Sequence, residues 1–195
     1  GIDESKPVVV YTVFPGWGED GRIVWELRMA GIQDAKMLDG GWTAWTASGN
    51  EISQEVPAIT PVSCTLSPYD ESMNADVNWI KVNKDKIKIV DSRSAKEYGG
   101  STDFGEARGG HLPGAINIPF ENTFNEDGTV KSTAELKELF TNAELTKEDE
   151  IVTYCTKGIR SAHMALLMRM AGFEKARNYD GSFYEWAGDS SLPLE

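Results

Sequence analysis

The chain has 195 residues, 40% of them apolar, and a formal net charge of −12. That length holds one large domain or two small ones. No apolar run approaches the ~20 residues of a membrane-spanning helix, which argues against a membrane protein. The acidic balance argues against nucleic acid as a general partner, because phosphate contacts would be repelled.

Gly1 to Pro7 lack the basic and apolar regions of a signal peptide. Two cysteines, Cys64 and Cys155, make a disulfide framework improbable and leave the compartment unread.

In chain order, Val8 to Tyr11 is expected as a strand, followed by a loop from Thr12, a helix stopped at Gly31, a second strand, an Asp39-Gly40 turn and a short aromatic helix with Trp42 and Trp45. The same order returns near the C-terminus. Met29-Ala-Gly, Asp39-Gly40 and Trp45 recur as Met170-Ala-Gly, Asp180-Gly181 and Trp186, each pair 141 positions apart, whereas Tyr11 and Tyr154 are 143 apart. The loop and helix thus differ by two residues between copies, and the first copy has no cysteine in its loop. One copy is expected to be structural, the other catalytic.

Asn50 to Ser67 is rich in Pro, Ser and Thr and is expected as a linker, with an extended piece around Val62 to Leu66. A helix is expected near Asn74 to Val82, a strand at Ile87 to Asp91, a loop ending in Arg108-Gly-Gly-His111-Leu-Pro-Gly-Ala115, a short strand at Ala115 to Ile118 and a helix at Thr133 to Phe140. Strands alternate with helices, which implies an α/β fold with a mostly parallel sheet. The expected division is residues 1–57, a half domain; 58–75, a linker; and 76–195, a full domain. Nothing before Val8 supplies earlier strands to the first copy, and an open sheet edge results. The chain is therefore expected to be a fragment, or to be completed by an N-terminal fragment or a second chain.

Chemistry concentrates between Glu150 and Ala171. Glu150 to Tyr154 is a β-prone run, and Ala162, Ala165, Leu166 and Met170 share one face at helical period. Between them lies Cys155-Thr156-Lys157-Gly158-Ile159-Arg160, with Ser161 as the expected N-cap. A loop entering a helix gathers unpaired N–H groups and the positive end of the helix dipole. A thiolate is favoured in such a place, and Lys157 and Arg160 add positive charge. A lone cysteine is ordinarily a small buried hydrophobe; strand, Cys, Gly, two cations and helix together point to a nucleophile in an anion cradle.

Other residues keep two readings. Arg93 contacts substrate or braces the domain through Asp91; His111 is a base or packs its Pro-Gly turn; Arg108 binds an anion or is solvated. His163 lies within the helix, and two histidines offer no metal site. Cys64 is inert or takes sulfur from Cys155. Trp42, Trp45 and Trp186 are expected in the core, and the lysines from Lys81 to Lys88 as a solvated edge.

Asp91-Ser-Arg93, Gly110-His-Leu-Pro-Gly-Ala115, Cys155 to Arg160, Asp180-Gly-Ser-Phe-Tyr-Glu-Trp186 and the tail Leu192-Pro-Leu-Glu195, taken in this order, resemble the tandem-domain rhodanese (sulfurtransferase) family. The resemblance covers nearly the whole chain and implies rhodanese-like domains in tandem, the first incomplete. It implies transfer of sulfane sulfur from thiosulfate to a thiophilic acceptor, cyanide or a thiol, through a Cys155 persulfide. Thr156, Lys157, Gly158, Ile159, Arg160 and Arg108 would bind substrate, the loop amides stabilising the persulfide.

Phosphatases of the same fold carry a loop one residue longer; four residues between Cys155 and Arg160 suit sulfur. Lys157-Gly158 resembles thiosulfate-preferring members. Mercaptopyruvate-preferring members use two arginines before the Pro-Gly motif, and here Glu97 or a neighbour falls where the second would lie. A 3-mercaptopyruvate sulfurtransferase and a non-enzymatic sulfur-carrier or regulatory module remain the alternatives. No cofactor is implied, and the resemblance fits a soluble bacterial-type protein, cytoplasmic or periplasmic.

Overall fold

The computed structural model describes residues 1–65 and 67–195. Two parallel sheets organise it. The smaller has two strands, β1 (Val8–Val10) and β2 (Ala35–Met37), joined through helix α1 (Glu19–Met29) and followed by α2 (Gly41–Ala47). The larger has five strands in the order β3-β7-β6-β4-β5, all parallel: β3 (Asn74–Ala75), β4 (Ile87–Asp91), β5 (Ile116–Asn117), β6 (Glu150–Tyr154) and β7 (Ala176–Tyr179). Its helices are α3 (Val77–Asn83), α4 (Ala95–Tyr98), α5 (Thr133–Asn142), α6 (Ile159–Met170) and α7 (Ser182–Gly188).

Alternation along the strands sorts the core into two layers. Ile89, Val152 and Tyr154 face one side with Ile80 of α3 and Phe183 and Trp186 of α7. Val90 and Ile151 face the other with Leu136 and Phe140 of α5 and Met164, Leu167 and Met168 of α6. The first copy then packs its α1 onto the outside of α6, with Val24 against Leu166 and with Trp25 and Met29 against Ala162. Helix α6 is thus clasped between the sheet and α1, and Ser161 through Met168 are all buried.

Several expectations are corrected by this packing. Met170, expected on the buried face of α6, is half exposed, because the helix buries nearly its whole circumference for two turns and emerges only at its end. The helix foreseen from Asn74 is preceded by β3, with Asp76 as its N-cap accepting the Trp79 N–H. A 3-10 turn (Glu71–Met73) and β3 (Asn74–Ala75) fall inside the stretch 58–75 expected as linker. Residues 50–65 form neither helix nor strand, and the extended piece expected around Val62 to Leu66 ends on a residue outside the described ones. Trp45 is exposed, its indole N–H donating to the Glu51 carbonyl, while Trp186 is buried. Among the described residues, no helix is long and apolar enough to cross a membrane.

Candidate active site

The site forms where β6 ends and α6 begins. Cys155 directly follows Tyr154, and it is buried. The helix is capped by Gly158, not by Ser161. Gly158 has φ 81°, and a Cβ there would lie 2.5 Å from the Asp180 carbonyl oxygen and 2.9 Å from Arg22 Nη1. Only glycine meets both demands, a left-handed backbone and a close neighbour.

The β7–α7 corner holds the loop from the other side. The Cys155 N–H donates to Ser182 Oγ at 3.2 Å, Ser182 Oγ donates to the Tyr179 carbonyl at 2.8 Å, and the Cys155 and Thr156 carbonyls accept from the Phe183 and Tyr184 amides at 3.0 Å. Ser182 itself adopts φ 53°.

Two features lie next to the thiol. Ser161 Oγ lies 3.6 Å from Cys155 Sγ, both groups buried, so the residue expected as a cap instead donates to sulfur. Among the described residues, no protein acceptor takes the backbone N–H groups of Thr156 through Arg160. These five unpartnered donors run from the loop into the first residues of the helix, the kind of place where anions bind.

The two loop cations are not equivalent. Lys157 is exposed, with Nζ 4.6 Å from the centre of the Tyr184 ring. Arg160 is buried and forked onto Glu97, Nη1 to Oε2 at 2.8 Å and Nη2 to Oε1 at 2.6 Å; Nη2 also reaches Thr156 Oγ1 at 2.7 Å, and Thr156 donates to Glu97 Oε1 at 2.8 Å. Burial alone would raise the Glu97 pKa. Hydrogen bonding and charge from Arg160, then Thr156 and Ser94, outweigh it and hold the carboxyl at about 2. Burial works to lower the Arg160 pKa, and the hydrogen bond and charge of Glu97 outweigh it and raise the pKa on balance.

A cavity of about 210 Å³ opens at the thiol, lined by Cys155, Thr156, Lys157, Ile159, Arg160, Trp17 and Phe104. Trp17 comes from the first copy. It meets Phe104 edge-on at 5.6 Å between centroids, and its ring centre lies 5.1 Å from the Arg160 guanidinium carbon. A separate cavity of about 620 Å³ lies between α1 and α6, lined by Val24, Phe120 and His163 among others, and does not include Cys155.

Arg108 is held away from the cradle. Its Nε, Nη1 and Nη2 donate to the carbonyls of Ala187, Leu192, Trp186 and Asp189 at 2.6–3.0 Å, which occupies four of its five donors. The expected anion binder is a brace for the C-terminal tail.

Arg93 and Asp91 are both fully buried and paired through Nη2 and Oδ2 at 2.6 Å, with Arg93 stacked 3.8 Å above Phe183 and Nη2 also donating to the Gly110 carbonyl. The Tyr154 hydroxyl donates to the same carboxylate at 2.5 Å; burial, then the Asp91 charge, pushes that phenol far up, so it stays protonated. His111 stacks on Tyr98 at 3.7 Å, with Nδ1 against the Tyr98 carbonyl. Both ring nitrogens of His163 are buried without a hydrogen-bond partner among the described residues, beside Asp20 of α1. Cys64 is exposed.

Sequence reasoning missed Ser182, Trp17 and Phe104 as parts of the site, and it placed Glu97 only where a second arginine would lie, without its pairing to Arg160. Ser94-x-x-Glu97 carries a visible capping-box signal, and the box is formed, but nothing local announces that Glu97 also grips an arginine 63 positions away.

A parallel five-stranded sheet ending in a buried cysteine, a glycine-capped loop and a ring of free amides define a thiol-centred α/β domain. Comparison with known proteins gives that class its family. Residues 76–189 match the rhodanese-like domain. Over 207 residues the chain is 35% identical to the sulfur carrier protein TtuD of Thermus thermophilus, covering 100% of this chain and 72% of that protein. It is 32% identical to the thiosulfate sulfurtransferase of Corynebacterium glutamicum, covering 100% of this chain and 68% of that one.

Among solved structures, it superposes with a TM-score of 0.90 and 27% identity on an anaerobic ergothioneine biosynthesis enzyme from Chlorobium limicola in complex with trimethyl histidine. A form of the EanB enzyme bearing a cysteine persulfide, with ergothioneine, superposes with a TM-score of 0.89 and 25% identity. The chain spans 52% of the length of each of these two structures. The chain belongs to the rhodanese-like family.

Proposed function

We propose that the chain is a sulfurtransferase that carries sulfane sulfur as a persulfide of Cys155, with thiosulfate as a donor and cyanide or a thiol as acceptor. The observation that carries this reading is the buried Cys155 inside a glycine-capped loop whose amides have no protein acceptor. A cavity of about 210 Å³ at the thiol has room for a small donor and little more.

In the first step the Cys155 thiolate attacks the outer sulfur of thiosulfate. The new S–S bond forms as the donor's S–S bond breaks, and sulfite leaves with the electron pair. The persulfide anion that results rests among the amides of residues 156–160, with Ser161 donating to the inner sulfur. In the second step a thiolate or cyanide attacks the outer sulfur and Cys155 departs as thiolate. Lys157, exposed at the rim, is the cation that meets the incoming anion. Names among the relatives, thiosulfate sulfurtransferase in Corynebacterium glutamicum and in Azotobacter vinelandii, agree with this donor.

A second reading, a sulfur carrier that hands its sulfur to a protein, is favoured by the 35% identity to TtuD. Thiocyanate production with thiosulfate and cyanide separates the two. Many turnovers per chain are expected of the enzyme. A single discharge per chain, without reloading, would leave only the carrier.

A further inference from the structure

The loop sequence offers an incoming donor two cations, Lys157 and Arg160, but the fold leaves one of them free. Arg160 is forked onto Glu97 with both side chains 4% exposed, and its remaining contacts are Thr156 Oγ1 and the face of Trp17. Glu97 and Thr156 take three of the five Arg160 donors, and an anion in the cavity meets a guanidinium whose charge is already matched by a carboxylate in contact with it. The rest of the cavity wall is Trp17, Phe104 and Ile159, an apolar surface facing Cys155.

Charge makes this arrangement discriminating. A dianion draws twice the attraction from a free cation that a monoanion draws, and suffers twice the repulsion from a carboxylate at similar range. With Arg160 and Glu97 closed on each other these contributions nearly cancel, and the advantage of a doubly charged donor is reduced to what Lys157 and the amides supply. Aromatic walls favour a donor with an organic body.

We propose that Glu97 sets the charge of the donor: by keeping Arg160 in a closed pair beside an aromatic-walled cavity, it makes organic persulfides better sulfur donors than the dianion thiosulfate. This rests on the reading that Cys155 accepts sulfane sulfur. The Cys155 thiolate attacks the outer sulfur of R–S–SH; one S–S bond forms as the other breaks, the electron pair leaves on RS−, and the proton stays on the transferred sulfur. No oxidant or reductant is consumed. The R group lies against Trp17 and Phe104, with Lys157 left to meet its charge.

The test measures loading of the full chain by quenched intact mass, with cysteine persulfide or thiosulfate, for the wild type and for Glu97→Gln, which keeps the shape and removes the charge. The wild type is expected to load faster from cysteine persulfide. In Glu97→Gln the ratio of kcat/KM for thiosulfate to that for cysteine persulfide should rise about tenfold, through KM, as an unneutralised Arg160 becomes available.

A wild type that prefers thiosulfate, or a ratio unmoved by the substitution, overturns the proposal while leaving Cys155 as the sulfur acceptor. A wild type that gains sulfur from neither donor overturns the sulfurtransferase reading itself. If Glu97→Gln does not fold, Lys157→Gln at the exposed rim decides. Because the Arg160 charge is already matched by Glu97, thiosulfate loading should fall about tenfold more than persulfide loading. Equal losses would contradict the proposal.

Discussion

The two copies of the repeat share one frame and differ at one loop. Both helices start on a left-handed glycine, Gly18 at φ 79° and Gly158 at φ 81°, and both end at another, Gly31 and Gly172. Each carries an arginine whose Nε ties the helix to the following strand, Arg28 to the Ala35 carbonyl at 2.9 Å and Arg169 to the Ala176 carbonyl at 2.8 Å. The Trp42 amide donates to the Thr12 carbonyl as the Phe183 amide donates to the Cys155 carbonyl, so Thr12 occupies the position of Cys155.

From there the copies diverge. Cys155 lies three positions before its capping glycine, Thr12 six before its own. The longer loop cannot wrap one point with its amides as the shorter one does, and it carries Trp17 across to the neighbouring cavity instead. Strand β6 lies between β7 and β4, whereas among the described residues β1 pairs only with β2; Tyr154 is fully buried and its counterpart Tyr11 is 56% exposed. The glycines and the arginine serve the fold in both copies. Among the described residues, the short loop, the Ser161 hydroxyl beside Cys155 and the Glu97–Arg160 pair belong to one copy only.

Moving the nucleophile is the most drastic way to break this comparison. Thr12→Cys in a Cys155→Ser background should gain no sulfur from thiosulfate, because a thiol without the short loop lacks the amides; loading there, read by intact mass, would show that position alone suffices.

Arg93→Ala should be next in size. It leaves Asp91 buried without its partner, and the expected loss is about 3–5 kcal/mol in denaturant unfolding, a penalty confined to the copy that has this pair. Gly158→Ala should cost about 1–3 kcal/mol from its positive φ and also lower sulfur loading, since the added Cβ meets the Asp180 carbonyl oxygen. A variant that folds less stably yet loads at the wild-type rate would separate the cap from the cradle.

The smallest effect is in acid. Glu97 is held at about 2 against an ordinary 4.5, so the stability it contributes is complete above pH 4.5 and is lost as the pH falls toward 2. Urea unfolding of wild type and Glu97→Gln across that window should show a steeper acid loss in the wild type.

Much of this arrangement is legible in the chain. The repeat shows itself through Met-Ala-Gly, Asp-Gly and Trp at fixed offsets, and the cradle through a cysteine, a glycine and two cations between a strand and a helix. What escapes is of three physical kinds. Very short elements such as β3 and α4 have too few residues to show a period. Long-range pairing is invisible locally: Arg160 looks free until Glu97 is seen beside it, and Arg108 looks like an anion binder until the tail carbonyls surround it. Backbone handedness misleads capping rules, since Ser161 has the right chemistry for an N-cap but Gly158 takes the left-handed position and frees the hydroxyl for sulfur.

The central claim is that one thiol, Cys155, accepts and releases sulfur. Its most direct test is the intact mass of the chain and of Cys155→Ser before and after thiosulfate, followed by cyanide. The account predicts a gain of one sulfur on the wild type alone, with Cys64 unmodified, discharged by cyanide as thiocyanate. A sulfur retained on Cys155→Ser, or no gain on the wild type from any sulfane donor, would contradict it.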